Sequence, residues 1–244
     1  MTALLSAQNL SFTYENTKQA LKDMSFNIEQ GCFCALLGPN GAGKSTFFAI
    51  ASALNRPTYG NLFIHGYDIA QTPRAALALM GFVFQQTTLD LDLSILQNLR
   101  YFASLHGIGN KLGEQRIQEE LERLDLYDRR HEKVRQLNGG HRRRAEIARA
   151  LLHHPALLLL DEASVGLDIA TRRTLVDHVH HLCQERGTSV LWATHLIDEV
   201  RENDQTIILH NGQIAGQGTA HELAAPTLEQ TFNDLTQRGQ TCLT

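Results

Sequence analysis

Cys32 to Leu37 is an unbroken apolar run that opens directly onto Gly38-Pro39-Asn40-Gly41-Ala42-Gly43-Lys44-Ser45-Thr46. The apolar run predicts a strand covered on both faces. The segment after it satisfies G-x-x-x-x-G-K-[ST], and a helix is expected to follow to about Asn55. Strand, glycine loop and helix in that order curl backbone N–H groups around phosphate oxygens and aim a helix N-terminus at them. Lys44 can then reach β- and γ-phosphates, and the Ser45 hydroxyl can ligate Mg²⁺. An ordinary glycine-rich turn is the alternative, and the strand–loop–helix context weighs against it.

Far downstream, Leu157-Leu158-Leu159-Leu160 runs into Asp161-Glu162. A buried strand there delivers Asp161 at its carboxyl end, where open parallel sheets bind ligands. Asp161 can hold magnesium through water, and Glu162 stands beside it as a candidate base for an attacking water. Four leucines before two acids would mean little alone; with the upstream loop they supply the second half of a nucleotide site.

The remaining periodicities place these pieces. Met24, Phe26 and Ile28 alternate with Ser25 and Asn27, and Leu10, Phe12 and Tyr14 alternate likewise, which predicts half-buried strands. A strand is expected at Leu62 to His65. From Leu91 to about Leu152 the spacing turns helical, with a Ser94/Gln97 capping box and stripes at Ile95, Leu99, Phe102 and at Ile117, Leu121, Leu124. Leu175, Val179 and Leu182 mark a helix, and Thr188 to Ala193 a strand. Asn211-Gly212 between Gln205–His210 and Gln213–Gly216 reads as a hairpin. From Pro226 the chain is polar and expected to be loosely attached. The expected fold is α/β, with a mostly parallel core sheet, an N-terminal antiparallel β layer and an inserted α-helical subdomain.

Charge and composition narrow the function classes. Lysine and arginine number 22 against 26 acidic residues, a net charge of −4, which counts against nucleic-acid binding. Clean apolar runs such as Ala156 to Leu160 fall far short of the roughly 20 residues of a membrane span. The first residues carry no basic region for a secretory signal. Cys32, Cys34, Cys183 and Cys242 are unpatterned, and Cys32 and Cys34 read as reduced core residues. His178, His180 and His181 lie on one expected helix, where a solvated face is favoured over chelation.

Leu137-Asn138-Gly139-Gly140-His141, followed by Arg142-Arg143-Arg144-Ala145-Glu146-Ile147-Ala148-Arg149-Ala150-Leu151, brings a family into view. Over nearly its whole length the chain resembles the ATP-binding cassette (ABC) ATPases, P-loop NTPases that serve as nucleotide-binding subunits of ABC transporters. Their signature is Leu-Ser-Gly-Gly-Gln shortly before the acidic strand, and here Gly140 lies 21 residues before Asp161. Gln85, after Gly81-Phe82-Val83-Phe84, resembles the family's glutamine loop, with Gln86 as a one-residue alternative. Ser164-Val165-Gly166-Leu167-Asp168 resembles the segment that contacts the opposing subunit. His195 matches the switch histidine rather than a capped surface residue, and Tyr14 matches the aromatic that stacks on adenine rather than a core residue.

The resemblance implies a mechanism and a set of partners. ATP and Mg²⁺ are the implied ligands: Ser45, Gln85 and Asp161 are implied to hold the metal, and Tyr14 and Gly38 to Thr46 the nucleotide. Glu162, His195 and Gln85 would act in hydrolysis. Asn138, Gly139, Gly140, His141 and Asp168 would meet the nucleotide of a second chain, so two copies are expected to pair head to tail as a homodimer. A separate polytopic membrane permease would be energised from the cytoplasmic face; no nucleic acid is expected. Residues 1–225 would form the ATP-binding domain, with the helical subdomain at about 90–152, and residues 226–244 a short tail.

Asn138 in place of serine and His141 in place of glutamine depart from the signature. They leave the site's identity intact and bear on the strength of the contact in trans. His141 offers either a neutral hydrogen-bond donor or a group that protonates near neutral pH. The signature and the stretch Gln85 to Ser94 also resemble an exporter-type subgroup linked to pyrroloquinoline-quinone-dependent alcohol oxidation. The rival readings are an off-membrane ABC ATPase in repair, translation or assembly, and a P-loop kinase or GTPase. The latter leaves Leu137 to His141 unexplained.

Overall fold

Alternate side chains of the same strands feed opposite sides of a central sheet, and this divides the molecule into layers. The computed structural model describes residues 3–15 and 18–237; Cys242 lies outside them. One sheet is antiparallel, built from β1 (Leu5–Thr13), β2 (Gln19–Ile28), β4 (Tyr59–Ile64) and the short β5 (Tyr67–Asp68) in the order β2-β1-β4-β5. Met24, Phe26 and Ile28 are buried while Ser25 and Asn27 are exposed, the alternation expected of a half-covered strand.

The second sheet runs β10-β9-β3-β8-β7-β6, from β3 (Phe33–Leu37), β6 (Met80–Val83), β7 (Leu157–Asp161), β8 (Ser189–Thr194), β9 (Gln205–His210) and β10 (Gln213–Thr219). Its pairings are parallel except the β9–β10 hairpin. Cys34, Leu36, Leu157, Leu159 and Leu191 pack with Phe47 and Ile50 of α1 (Lys44–Ala51) and with the antiparallel sheet. Phe33, Ala35, Leu158, Leu160, Val190 and Trp192 face the other way, into the helices. Because β3, β6, β7 and β8 are parallel, their carboxyl ends open at one edge, and the loops that leave them meet there.

The helical subdomain holds α3 (Ile95–Leu105), α4 (Asn110–Arg123) and α5 (Gly139–Leu151). The capping box forms as expected: Ser94 Oγ accepts the Gln97 amide at 3.2 Å, and Gln97 Oε1 accepts the Ser94 amide at 2.8 Å. Ile95, Leu99, Ile117, Leu121 and Leu124 are all buried in one cluster. The other helices are α2 (Pro73–Leu77), α6 (Ile169–Arg186), α7 (Ala220–Leu223) and α8 (Leu228–Gln237). Among the described residues, no helix is long and apolar enough to cross a membrane.

Three expectations need correction. Helix α1 stops at Ala51 rather than near Asn55. There the Ser52 hydroxyl folds back onto the Phe48 carbonyl at 2.8 Å, and Ala53 turns left-handed at φ 56°. Of the segment after Pro226, the described part is not loosely attached: α8 buries Phe232 against Leu37 and Ile208, with Leu228 and Leu235 beside it. Those three residues form an i, i+4, i+7 stripe that the polar residues between them masked. His180 is not on a solvated face. It is buried, stacks on Phe33 at 3.9 Å, and has Nε2 at 3.0 Å from both Asp204 oxygens. Cys34 is the buried, free core residue expected, and burial pushes its thiol pKa well up, whereas Cys32 is free but only half-buried.

Candidate nucleotide site

The loop after β3 encloses the mouth of a cleft of about 810 Å³, a size suited to a small-molecule ligand. Gly43 sits at φ 115°, and a Cβ there would lie 2.8 Å from Leu21 Cδ2 and 2.9 Å from the Ala20 carbonyl, so only glycine fits. Lys44 is buried, and its Nζ donates to the Gly38 carbonyl at 2.7 Å and the Pro39 carbonyl at 3.3 Å. Asn40 to Thr46 line the cleft, while Gly38 and Pro39 stand behind it as the lysine's acceptors. Tyr14 lines the opposite wall. Its ring packs edge-on to Phe12 at 4.8 Å, and its hydroxyl lies 3.1 Å from Thr46 Oγ1.

The strand ends supply the remaining chemistry. Glu162 follows β7 with φ 48°, a left-handed conformation that is strained for a side-chain-bearing residue and that recurs at functional sites. Its carboxylate reaches three groups. Gln85 Nε2 donates to Oε2 at 3.1 Å, Lys44 Nζ lies 3.4 Å from Oε1, and His195 Nδ1 lies 3.5 Å from the same oxygen. Gln85, not Gln86, is therefore the glutamine that enters the cleft.

Asp161 lies beneath, with Oδ1 buried and lacking a hydrogen-bond partner. Burial, together with Glu162, pushes its pKa up; Lys44 and a hydrogen bond with Ser45 oppose that. A buried, unsatisfied carboxylate oxygen beside a serine hydroxyl suits a hard cation such as Mg²⁺. The described residues hold no cluster of three metal-ligating side chains.

Sequence reasoning missed part of the wall. Lys18, Gln19, Ala20, Lys22, Asn211 and Gly212 all line the cleft. The Gly212 amide donates to the Ala42 carbonyl at 2.8 Å, and the Lys22 amide donates to Gly212 at 2.7 Å. The hairpin turn thus braces the phosphate loop from behind. Asn-Gly signalled the turn, but nothing local signalled which loop it would touch.

The signature residues lie elsewhere. Asn138 caps α5, its Oδ1 accepting the His141 amide at 2.8 Å, so asparagine performs the N-cap role open to the usual serine. Asp168 caps α6, accepting the Thr171 amide at 3.0 Å and the Thr171 hydroxyl at 2.6 Å, which holds its carboxyl below the usual range. A Cβ on Gly140 would lie 2.4 Å from Thr171 Cγ2, and one on Gly139 would lie 3.3 Å from Leu167 Cδ2. Asn138, Gly139, Gly140 and Asp168 therefore share one surface, and neither they nor His141 line the cleft. Burial, then Arg144 and Arg129, lowers the His141 pKa, which favours the neutral imidazole in a single chain.

Of the arginine run only Arg143 is buried, and Arg142 and Arg144 are half-buried. Arg142 donates to the Leu137 carbonyl at 3.2 Å and Arg144 to the Leu124 carbonyl at 3.1 Å, while Arg143 is buried against the glutamine loop.

Comparison with known proteins agrees with this geometry. The ABC transporter family profile matches residues 21–165. The daunorubicin resistance ATP-binding protein DrrA3 of Streptomyces coeruleorubidus is 37% identical over 86% of this chain and 66% of its own length. The linearmycin resistance ATP-binding protein LnrL of Bacillus subtilis is 33% identical over 97% of this chain and 76% of its own. The chain thus spans about two-thirds to three-quarters of the length of these two relatives. Among solved structures, CbiO1 from Clostridium perfringens, part of the ABC transporter complex CbiONQ, superposes with a TM-score of 0.85 at 25% identity, covering 98% of this chain and 97% of that one. The dimeric cassette MJ0796 bound to ADP and Pi gives a TM-score of 0.79 at 30% identity, covering 88% and 98%. With the phosphate loop, acidic strand end and signature all in place, the chain belongs to the ABC transporter family.

Proposed function

We propose that this chain works as one half of a head-to-tail pair of identical subunits that binds and hydrolyses two ATP molecules and drives a separate polytopic membrane permease from the cytoplasmic face. One observation carries the proposal. Lys44, Glu162, Gln85 and His195 converge in one cleft, while Asn138, Gly139, Gly140 and Asp168 form a distinct surface of the same chain. A second copy is needed to bring the two together. That the cassette MJ0796 is dimeric supports the pairing.

The residue roles follow from the geometry. Gly38 to Thr46 wrap the phosphates with backbone N–H groups and Lys44, and Tyr14 offers a face to adenine. Ser45, Asp161 and Gln85 would hold Mg²⁺, which when bound screens phosphate charge and polarises the γ-phosphoryl group. Glu162 accepts the proton of the attacking water. His195, within 3.5 Å of that carboxylate, orients it and the phosphate. Asn138, Gly139, Gly140, His141 and Asp168 of one copy complete the electrostatic enclosure of the other's nucleotide, so turnover waits for closure.

Residues 1–225 form the working domain in this reading, with the helical subdomain at about 90–152 and residues 226–244 as the tail. Export is the favoured direction, supported by similarity to the daunorubicin and linearmycin resistance proteins. The Leu137 to His141 signature supports a place among exporter-type cassettes linked to pyrroloquinoline-quinone-dependent alcohol oxidation. Phosphate release without any acceptor, measured over a range of protein concentrations, tests the pairing. Specific activity should rise with concentration; a constant value at every concentration contradicts it.

A further inference from the structure

Helix α5 begins at the signature and also grips the glutamine loop. Arg143, Glu146 and Arg149 lie at i, i+3 and i+6, along one face. Arg143 Nη1 donates to the Phe84 carbonyl at 2.6 Å and to Glu146 Oε2 at 2.7 Å; Nη2 donates to the Gln85 carbonyl at 3.0 Å. The second oxygen of Glu146 accepts the Thr88 amide at 3.0 Å. Arg149 donates to the Thr88 hydroxyl at 2.6 Å and to the Phe82 carbonyl at 3.3 Å.

Arg143 and Glu146 are only 9% and 1% exposed. A buried ion pair of this kind is poor value for stability, since apolar residues of similar volume often do as well. What these charges provide instead is direction. Except for the Thr88 hydroxyl, their bonds to the loop go to main-chain atoms of residues 82–88, so they fix where the loop runs. The Gln85 side chain leaves that loop to meet Glu162 at 3.1 Å. Asn138 caps the same helix at its start. The surface offered to a second copy and the side chains that anchor the Gln85 backbone therefore belong to one helix.

Resting on the paired-subunit reading above, we infer that Arg143, held in place by Glu146, is a positioning residue for hydrolysis. It sets Gln85 against Glu162 and carries movement of the Asn138–Gly140 end of α5 to that contact. A displacement of about 1 Å at a reacting group can lower turnover on the order of 10²-fold, so a small tilt of α5 is enough to switch the site.

The test compares three variants with the wild type: the neutral pair Arg143→Gln/Glu146→Gln, Gln85→Ala, and all three substitutions together. The neutral pair keeps amide groups in both places and removes one charge of each sign; Arg149 loses the favourable charge of Glu146 but keeps its hydrogen bonds to Thr88 and Phe82. Expected is an ATP affinity within about twofold of wild type, with kcat lower by on the order of 10–100-fold. In the Gln85→Ala background the pair should change kcat by less than about twofold, because its effect passes through Gln85. If the pair does not fold, Arg143→Lys carries the test, since an ammonium lacks the planar fork that spans two carbonyls. It too should lower kcat at unchanged ATP affinity. Unchanged kcat, a loss that multiplies with that of Gln85→Ala, or a parallel loss of ATP affinity would each overturn the inference. Wild type that binds ATP but releases no phosphate would remove the functional reading, and the inference with it.

Discussion

Lys44 shows how one side chain converts a loop into a site. Its ammonium is buried, yet it has protein acceptors at Gly38, Pro39 and Glu162, so its charge is kept where phosphates would arrive. Lys44→Ala removes that cation, and a charge-assisted contact is worth roughly 1.5–3 kcal/mol. ATP affinity measured by calorimetry should fall by about 10- to 150-fold; equal affinity in the two proteins contradicts the assignment.

A second residue-scale effect lies away from the cleft. His153 packs its ring on His106 at 4.2 Å and sets Nε2 2.9 Å from the Met80 carbonyl. Burial first, then His106, lowers its pKa from 6.5 to about 4. The folded chain resists a proton that the unfolded chain accepts below 6.5. His153 therefore supports stability fully above that value, and the support fades as pH falls towards 4. Discounted for partial solvent access, the loss is about 1–2 kcal/mol. Denaturant titrations should show a smaller drop between pH ~7.5 and ~4.5 for His153→Gln than for wild type. Equal drops would dismiss this histidine as the source.

The elements that were legible in the sequence are those whose signal is local. The burial of Phe33–Leu37 and Leu157–Asp161 follows from continuous apolar runs, and the start of α3 from the Ser94–Gln97 reciprocity. Lys44, Gln85, Glu162 and His195 meet because parallel strands end at one edge, which alternation and motif order made foreseeable, and Tyr14 joins them from the end of β1 in the antiparallel sheet. What escaped depends on partners distant in the chain. His180 is buried because Asp204 and Phe33 come to it, and Arg143 is buried while Arg144 is half-buried because carbonyls of other segments accept their hydrogen bonds. Composition alone cannot separate a charged residue facing water from one facing a loop end.

The β9–β10 turn is the sharpest such case. Asn211 and Gly212 both have positive φ, 49° and 79°, as a tight hairpin turn requires. A Cβ on Gly212 would come within 2.4 Å of the Ala20 carbonyl, which is backbone and cannot swing aside. Gly212→Ala should therefore destabilise the fold by about 1–3 kcal/mol. Because Gly212 also braces Ala42, it should weaken ATP binding beyond what unfolding explains. Thermal melts with and without ATP check both effects. A stable variant with full ATP-induced stabilisation would show that the turn does not support the loop.

At the scale of the whole molecule, the half-sites face different ways. Ile169, 62% exposed, follows Asp168 at the start of α6, so apolar area stands open beside the signature, while Val165, 44% exposed, lines the cleft. Function on this account belongs to the pair, and a single chain is a half-built enclosure.

Glu162→Gln tests that claim most directly. It keeps the shape of the side chain while removing the base and one negative charge, so ATP should bind and persist. Light scattering coupled to gel filtration, with Mg-ATP at a concentration that calorimetry shows to be saturating, reads the outcome. The account predicts a species of twice the chain mass with ATP and a single-chain mass without it. A variant that is saturated with ATP, remains at the single-chain mass and hydrolyses ATP at the wild-type rate would contradict it.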